Sequence, residues 1–134
     1  MTTFNDLVRL VVEAGIKGGI PEAYLRVAPA SAEDGTPHVE VQGDAFAYVV
    51  SERGCEFSRQ QVTNLDALLY LIMSDIAANY AYAKECSQRT QGQDSRRAAF
   101  GIRLAIMNAI NREWGARLAL ELDEILAHAP YIDR

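Results

Sequence analysis

The repeat of the apolar residues divides this chain into three stretches, and that division constrains the fold more than any single motif. Phe4, Leu7, Val8, Val11 and Val12 recur at helical spacing, so residues 3–17 are predicted to form a first helix. Gly15, Gly18, Gly19 and Pro21 are expected to end it. The pattern then turns strand-like. "HVEVQG" (38–43) alternates, and "AFAYVVSE" (45–52) and "CEFSRQQV" (55–62) flank Arg53-Gly54, a tight-turn pair. Gly43-Asp44 marks a second turn, and "AYLRVA" (23–28) is a further short candidate strand. These segments predict an antiparallel meander of three to four strands with Val39, Val41, Phe46, Tyr48 and Val50 on one face. The loop "APASAEDGTP" (28–37) is expected to be exposed and mobile.

From Thr63 onward the chain reads helical. Thr63 with Asp66 has the spacing of a capping box. The following "LDALLYLIMSDIAANYAYAKECSQR" is apolar nearly all round for three turns, as a central, buried helix would be. Gly92 breaks the chain. Asp94 is placed to cap a helix over about 95–110, with Phe100, Leu104, Met107 and Ile110 on one side. Asn111 is placed to cap another over about 112–128, with Trp114, Leu118, Leu122, Ile125 and Leu126 on one face. Ala129-Pro130 ends it. The expected architecture is therefore α+β: an N-terminal helix, the meander, then three C-terminal helices packed on the sheet, all in one domain over 1–134.

A chain of 134 residues suits one core. It contains no uncharged apolar run of roughly 18 residues, so no membrane span is expected. Asp6, Arg9 and Glu13 interrupt the apolar N-terminus, which therefore does not read as an export signal. Cys55 and Cys86 lack CxxC spacing and read as thiols of a reducing cytoplasm. Formal net charge is −5, unevenly spread: nine acids and five bases in 1–62 against nine acids and eight bases in 63–134. The acidic first half would repel phosphate backbones and attract a basic partner.

No constellation in the sequence has the spacing that catalysis or metal binding requires. His38 and His128 are far apart and form no HxxxH or HExxH pair, so neither metal nor cofactor is expected. "GIKGGIPE" follows a helix rather than a strand and lacks phosphate-loop register, which leaves it a helix terminator. Lys84, Arg89, Arg96, Arg97 and Arg103 against Glu85 and Asp94 give a local charge of +3, a pattern that can meet nucleic acid. Arg96 and Arg97 stand in the first turn of a helix, where the dipole disfavours cations. Partners are expected for them in Asp94 and the acids of the fourth helix, making Asp94, Arg96 and Arg97 structural ties. Glu33-Asp34, Glu52 with Glu56, and Glu121 with Asp123-Glu124 read as solvated faces or as docking surface for a cationic partner rather than as acid–base pairs. Tyr70, Tyr80, Tyr82, Phe100 and Trp114 read as core.

Taken in order, "YVVSERGCEF" (48–57), "LDALLYLI" (65–72), "GQDSRRAAF" (92–100), "NREW" (111–114) and "EILAHAPYID" (124–133) resemble immunity-protein family 63 of bacterial polymorphic toxin systems. The likeness runs over about residues 45–134, with Gly101 and Gly115 standing where the family pattern would place better helix formers. The resemblance implies a small cytoplasmic protein, without enzymatic activity, that binds a cognate toxin domain and occludes its active site. Many such toxins are basic nucleases. Glu33, Asp34, Glu40, Asp44, Glu52 and Glu56 are the expected partner contacts. The apolar helices would also allow a homo-oligomer. Two rivals stay open: a small nucleic-acid-binding or regulatory protein using the basic 84–103 cluster, and a small enzyme with a cryptic carboxylate site.

Overall fold

The computed structural model describes residues 2–33 and 35–134. Among them are four α-helices and one three-stranded antiparallel sheet, an α+β fold: α1 (Phe4–Gly18), β1 (His38–Gln42), β2 (Ala45–Glu52), β3 (Cys55–Val62), α2 (Leu65–Ser87), α3 (Ser95–Ile110) and α4 (Arg112–His128). By compactness the chain divides into two units, Met1–Glu13 with Leu25–Ile72, and Ala14–Tyr24 with Met73–Arg134. The sheet belongs to the first, α3 and α4 to the second, and α1 and α2 contribute residues to both.

Helix α1 opens on a reciprocal cap. The Thr3 N–H donates to Asp6 at 3.0 Å and the Asp6 N–H donates to the Thr3 hydroxyl at 3.1 Å. The helix ends at Gly18, one residue beyond the predicted 3–17, among the glycines expected to end it. It closes in a Schellman turn: Gly19, at φ 76°, donates to Ile16, and Ile20 donates to Gly15. A side chain at Gly18 would press on Ile106 and Ile110 of α3, so this glycine permits close packing within the second unit.

The meander has the order β1-β2-β3. Its register aligns Val39 with Tyr48 and Val41 with Phe46, and Val50 shares their face, which is buried at Val39, Phe46 and Tyr48. The Arg53-Gly54 turn has positive φ at both residues (52° and 76°), as a type I′ hairpin needs. At Gly43-Asp44 only Gly43 has positive φ, the sign pattern of type II′. The candidate strand at 23–28 does not form. Pro21 starts a 3-10 turn over Glu22–Tyr24, and Tyr24 turns its ring edge-on to Tyr80 at 5.3 Å. Only an isolated bridge between Ala28 and His38 remains of it. The loop that follows is exposed, as expected, but it is held along the β2–β3 hairpin. Ser51 donates its hydroxyl to Ser31, the Gly35 N–H donates to Ser51, and the Arg53 N–H donates to Glu33.

Helix α2 is capped by Asn64 rather than Thr63: its side-chain oxygen accepts the Ala67 N–H at 3.2 Å, placing the cap one residue later than the Thr63 spacing indicated. Leu68, Tyr70, Ile72, Met73, Ile76, Ala77 and Ala81 are buried along it. Tyr82 is not core but 64% exposed, because it falls off the Ala77–Ala81–Glu85 stripe. Asp94 and Asn111 cap α3 and α4, and a single extended residue, Asn111, separates the two helices. Trp114, Leu118 and Leu122 are buried, whereas Ile125 lies in the last turn with 44% of its surface in solvent. Gly115 has a packing reason, since a Cβ there would collide with the Asn108 amide of α3. Nothing around Gly101 requires a glycine.

Candidate interaction surface

The sequence-predicted partner acids come from the sheet and its loop, and the structure places them unequally. Asp44 is exposed in the β1–β2 turn and Glu52 is half-buried at the end of β2. Asp34 lies outside the described residues. Glu33 adopts a left-handed backbone (φ 59°), and its carboxylate accepts the Gly54 N–H, fixing the loop to the hairpin turn. Glu40 and Glu56 converge on Arg59. The Arg59 guanidinium donates to both Glu40 oxygens at 3.0 and 3.2 Å and to Glu56 at 2.7 Å. To reach Glu40 on β1 from β3, Arg59 crosses the middle strand above Ala47 and Val49, both of which are buried. His38 completes the cluster through Nε2 at 3.0 Å from Glu40, while its buried Nδ1 has no hydrogen-bond partner among the described residues. The hydrogen bond from Arg59, and then that from His38, holds the Glu40 carboxyl down to about 2. Hydrogen bonding from Arg59 lowers Glu56 as well.

A backbone irregularity makes this cluster possible. In a regular strand, residues three apart point to opposite faces. In β3 the pairing jumps from Val50↔Ser58 to Ser51↔Glu56, so Phe57 is an extra residue with no partner on β2. That bulge rotates Glu56 onto the face of Arg59 and Glu40. Phe57 itself is 64% exposed, and β3 is exposed from Cys55 to Gln61.

The basic cluster at 84–103 is largely tied internally. Arg89 holds the buried Glu85 at 2.7 Å. Arg96 forks onto Asp94 at 2.9 and 3.2 Å and donates to the carbonyls of Ala129 and Pro130. Arg97 pairs with Asp133, in the tail beyond α4, rather than with the acids of that helix. The tail is pinned at further points: Asp94 accepts the Ile132 N–H at 2.8 Å, Asp133 accepts the Asp94 N–H at 2.8 Å, and the Arg134 N–H donates to Gly92 at 2.7 Å. The Tyr131 ring lies under Arg97 at 4.2 Å and against Phe100. Asp94, Arg96 and Arg97 are thus brought together, on residues 129–134. Hydrogen bonds from Arg96 depress the Asp94 carboxyl strongly, and Arg97 lowers Asp133.

A groove of about 300 Å³ opens between α2 and α3, lined in part by Tyr82, Glu85, Arg96, Phe100 and Arg103. It holds one carboxylate, Glu85, which Arg89 lowers. Among the described residues every displaced carboxylate is displaced downward, the wrong direction for a general acid at neutral pH. No group of three His, Cys, Asp or Glu among them is placed to hold a metal ion, and no helix is long and apolar enough to cross a membrane.

Compared with known proteins, residues 43–124 match the family model described as Immunity protein 63. The chain belongs to the immunity protein 63 family. No curated protein and no solved structure matches it. The matched span covers β2, β3, α2, α3 and most of α4, including the bulge at Phe57 and the start of the arginine cluster's helix. Nothing in the sequence of this immunity-family chain marks Arg59 as the centre of an ion cluster. Glu56 and Arg59 read as opposite faces of a strand until the bulge is seen.

Proposed function

We propose that this chain is an antitoxin that binds a cognate bacterial toxin domain and occludes its active site, without transforming a substrate itself. Membership of the immunity protein 63 family over residues 43–124 is the observation that carries this reading. The placement of charge supports the mode of action. Residues 33–59, which supply the loop and the sheet, hold six acids and two arginines, a net of −4 out of −5 for the whole chain. A basic toxin would be steered toward that region, since complementary fields accelerate encounter. Glu33, Asp34, Glu40, Asp44, Glu52 and Glu56 are the acids proposed to face it, inside the producing cell's cytoplasm. Asp94, Arg96 and Arg97 serve stability instead, as ties holding the tail against α3. Their engagement within the chain weighs against the nucleic-acid reading of the 84–103 cluster.

The test is survival. Cells expressing the toxin domain encoded beside this chain's gene should grow when the chain is co-expressed and stop when it is not. Unrelieved killing at matched, soluble expression would refute the proposal.

A further inference from the structure

β3 is the part of the sheet least covered by the rest of the chain. It is an edge strand of eight residues, exposed at seven consecutive positions, whereas β2 beside it is buried on both faces from Phe46 to Val49. Natural edges are commonly blunted by lysine, proline, inward-pointing charge or a bulge, and of these β3 has the bulge opposite Val50/Ser51. β3 carries no lysine and no proline, and its two charges, Glu56 and Arg59, are spent on each other and on Glu40. At its centre the bulge presents Phe57, a large apolar side chain with 64% of its surface in water. Bulges re-aim side chains at sheet edges, and a buried aromatic anchor ringed by polar groups is the usual anatomy of a strong protein contact.

We propose that the bulged β3 edge, with Phe57 as anchor and the Glu40–Arg59–Glu56 cluster beside it, is the surface that seats a basic protein partner. This rests on the antitoxin reading and names its contact face. Charge decides the occupant. Residues 2–32 hold three acids and three bases, so the negative surplus of the first half lies wholly in the segment 33–59, which supplies β1, β2 and the first part of β3. A second copy of the chain would bring two such segments, each of net −4, toward one another; a cationic protein would be drawn in. Arg59 fixes Glu40 and Glu56 in position before the partner arrives, which lowers the ordering cost of the contact.

The purified toxin domain encoded beside the chain is the probe, with binding followed by interferometry. Phe57→Ala should weaken binding by about thirtyfold, mostly through faster dissociation, with an unchanged melting temperature. Leu120→Ala, a similarly exposed position on α4 (72%), should bind like the parent. Association should slow as salt rises from about 0.05 to 0.5 M. Undiminished binding by Phe57→Ala, or an association rate indifferent to salt, overturns the proposal while leaving the antitoxin reading intact. A parent dimer dissolved by Phe57→Ala also overturns it, by assigning the edge to a second copy. No binding by the parent chain sinks the antitoxin reading and this proposal together.

Discussion

The seat of the C-terminal tail can be tested at Gly92. Its φ is 83°, a left-handed value, and a Cβ built there would lie 2.6 Å from the Arg134 carbonyl oxygen. Gly92→Ala therefore carries two penalties of different origin. The left-handed backbone costs an L-residue about 1–2 kcal/mol. Displacing the tail, whose Arg134 N–H is bonded to the Gly92 carbonyl, adds about 1 kcal/mol or more. The sum, about 2–3 kcal/mol, corresponds to a fall in Tm of roughly 10 °C for a chain of this length. The two parts separate in a double-mutant cycle. In a chain ending at His128 the tail penalty vanishes and the backbone penalty stays, so Gly92→Ala should cost about 1 kcal/mol less there. Urea unfolding followed by fluorescence of Trp114, which is buried, supplies the free energies. Equal costs in both backgrounds, within about 0.3 kcal/mol, would show that the tail does not rest on Gly92.

Two further outcomes follow from local geometry. Asn64→Ala should cost about 1 kcal/mol by removing the α2 cap, whereas Thr63→Ala should cost little; the reverse order in thermal melts would restore the cap to Thr63. Glu40 has a folded pKa of about 2, below its ordinary 4.5, so its contribution is complete above about pH 4.5 and is lost as pH falls toward 2. The stability difference between the parent and Glu40→Gln should shrink across that window; a difference constant from about pH 6 to 2.5 would contradict the Arg59 contact.

The helices and the meander were legible because their signals are local. Apolar spacing, Asp94 and Asn111 as caps, and Arg53-Gly54 as a turn each involve residues close in sequence. What the sequence hid depends on residues far apart or on one-residue shifts. The cap moved from Thr63 to Asn64 because both can accept the bond and only the three-dimensional path selects one. Segment 23–28 has strand-like residues, but Pro21 and the contact of Tyr24 with Tyr80 divert it into a turn. Arg97 found Asp133 rather than an acid of α4 because the tail folds back over α3, a path no periodicity encodes. The bulge at Phe57 is likewise invisible in composition, and it changes the acidic surface most: Glu40 and Glu56 are held by Arg59 rather than standing as independent charges.

Titration of the purified chain into the purified toxin domain, with the toxin's own activity as readout, tests the central claim most directly. The account predicts a linear fall to zero activity at one equivalent, with no product formed by the chain alone. Toxin activity unchanged at a tenfold excess of folded chain would contradict it.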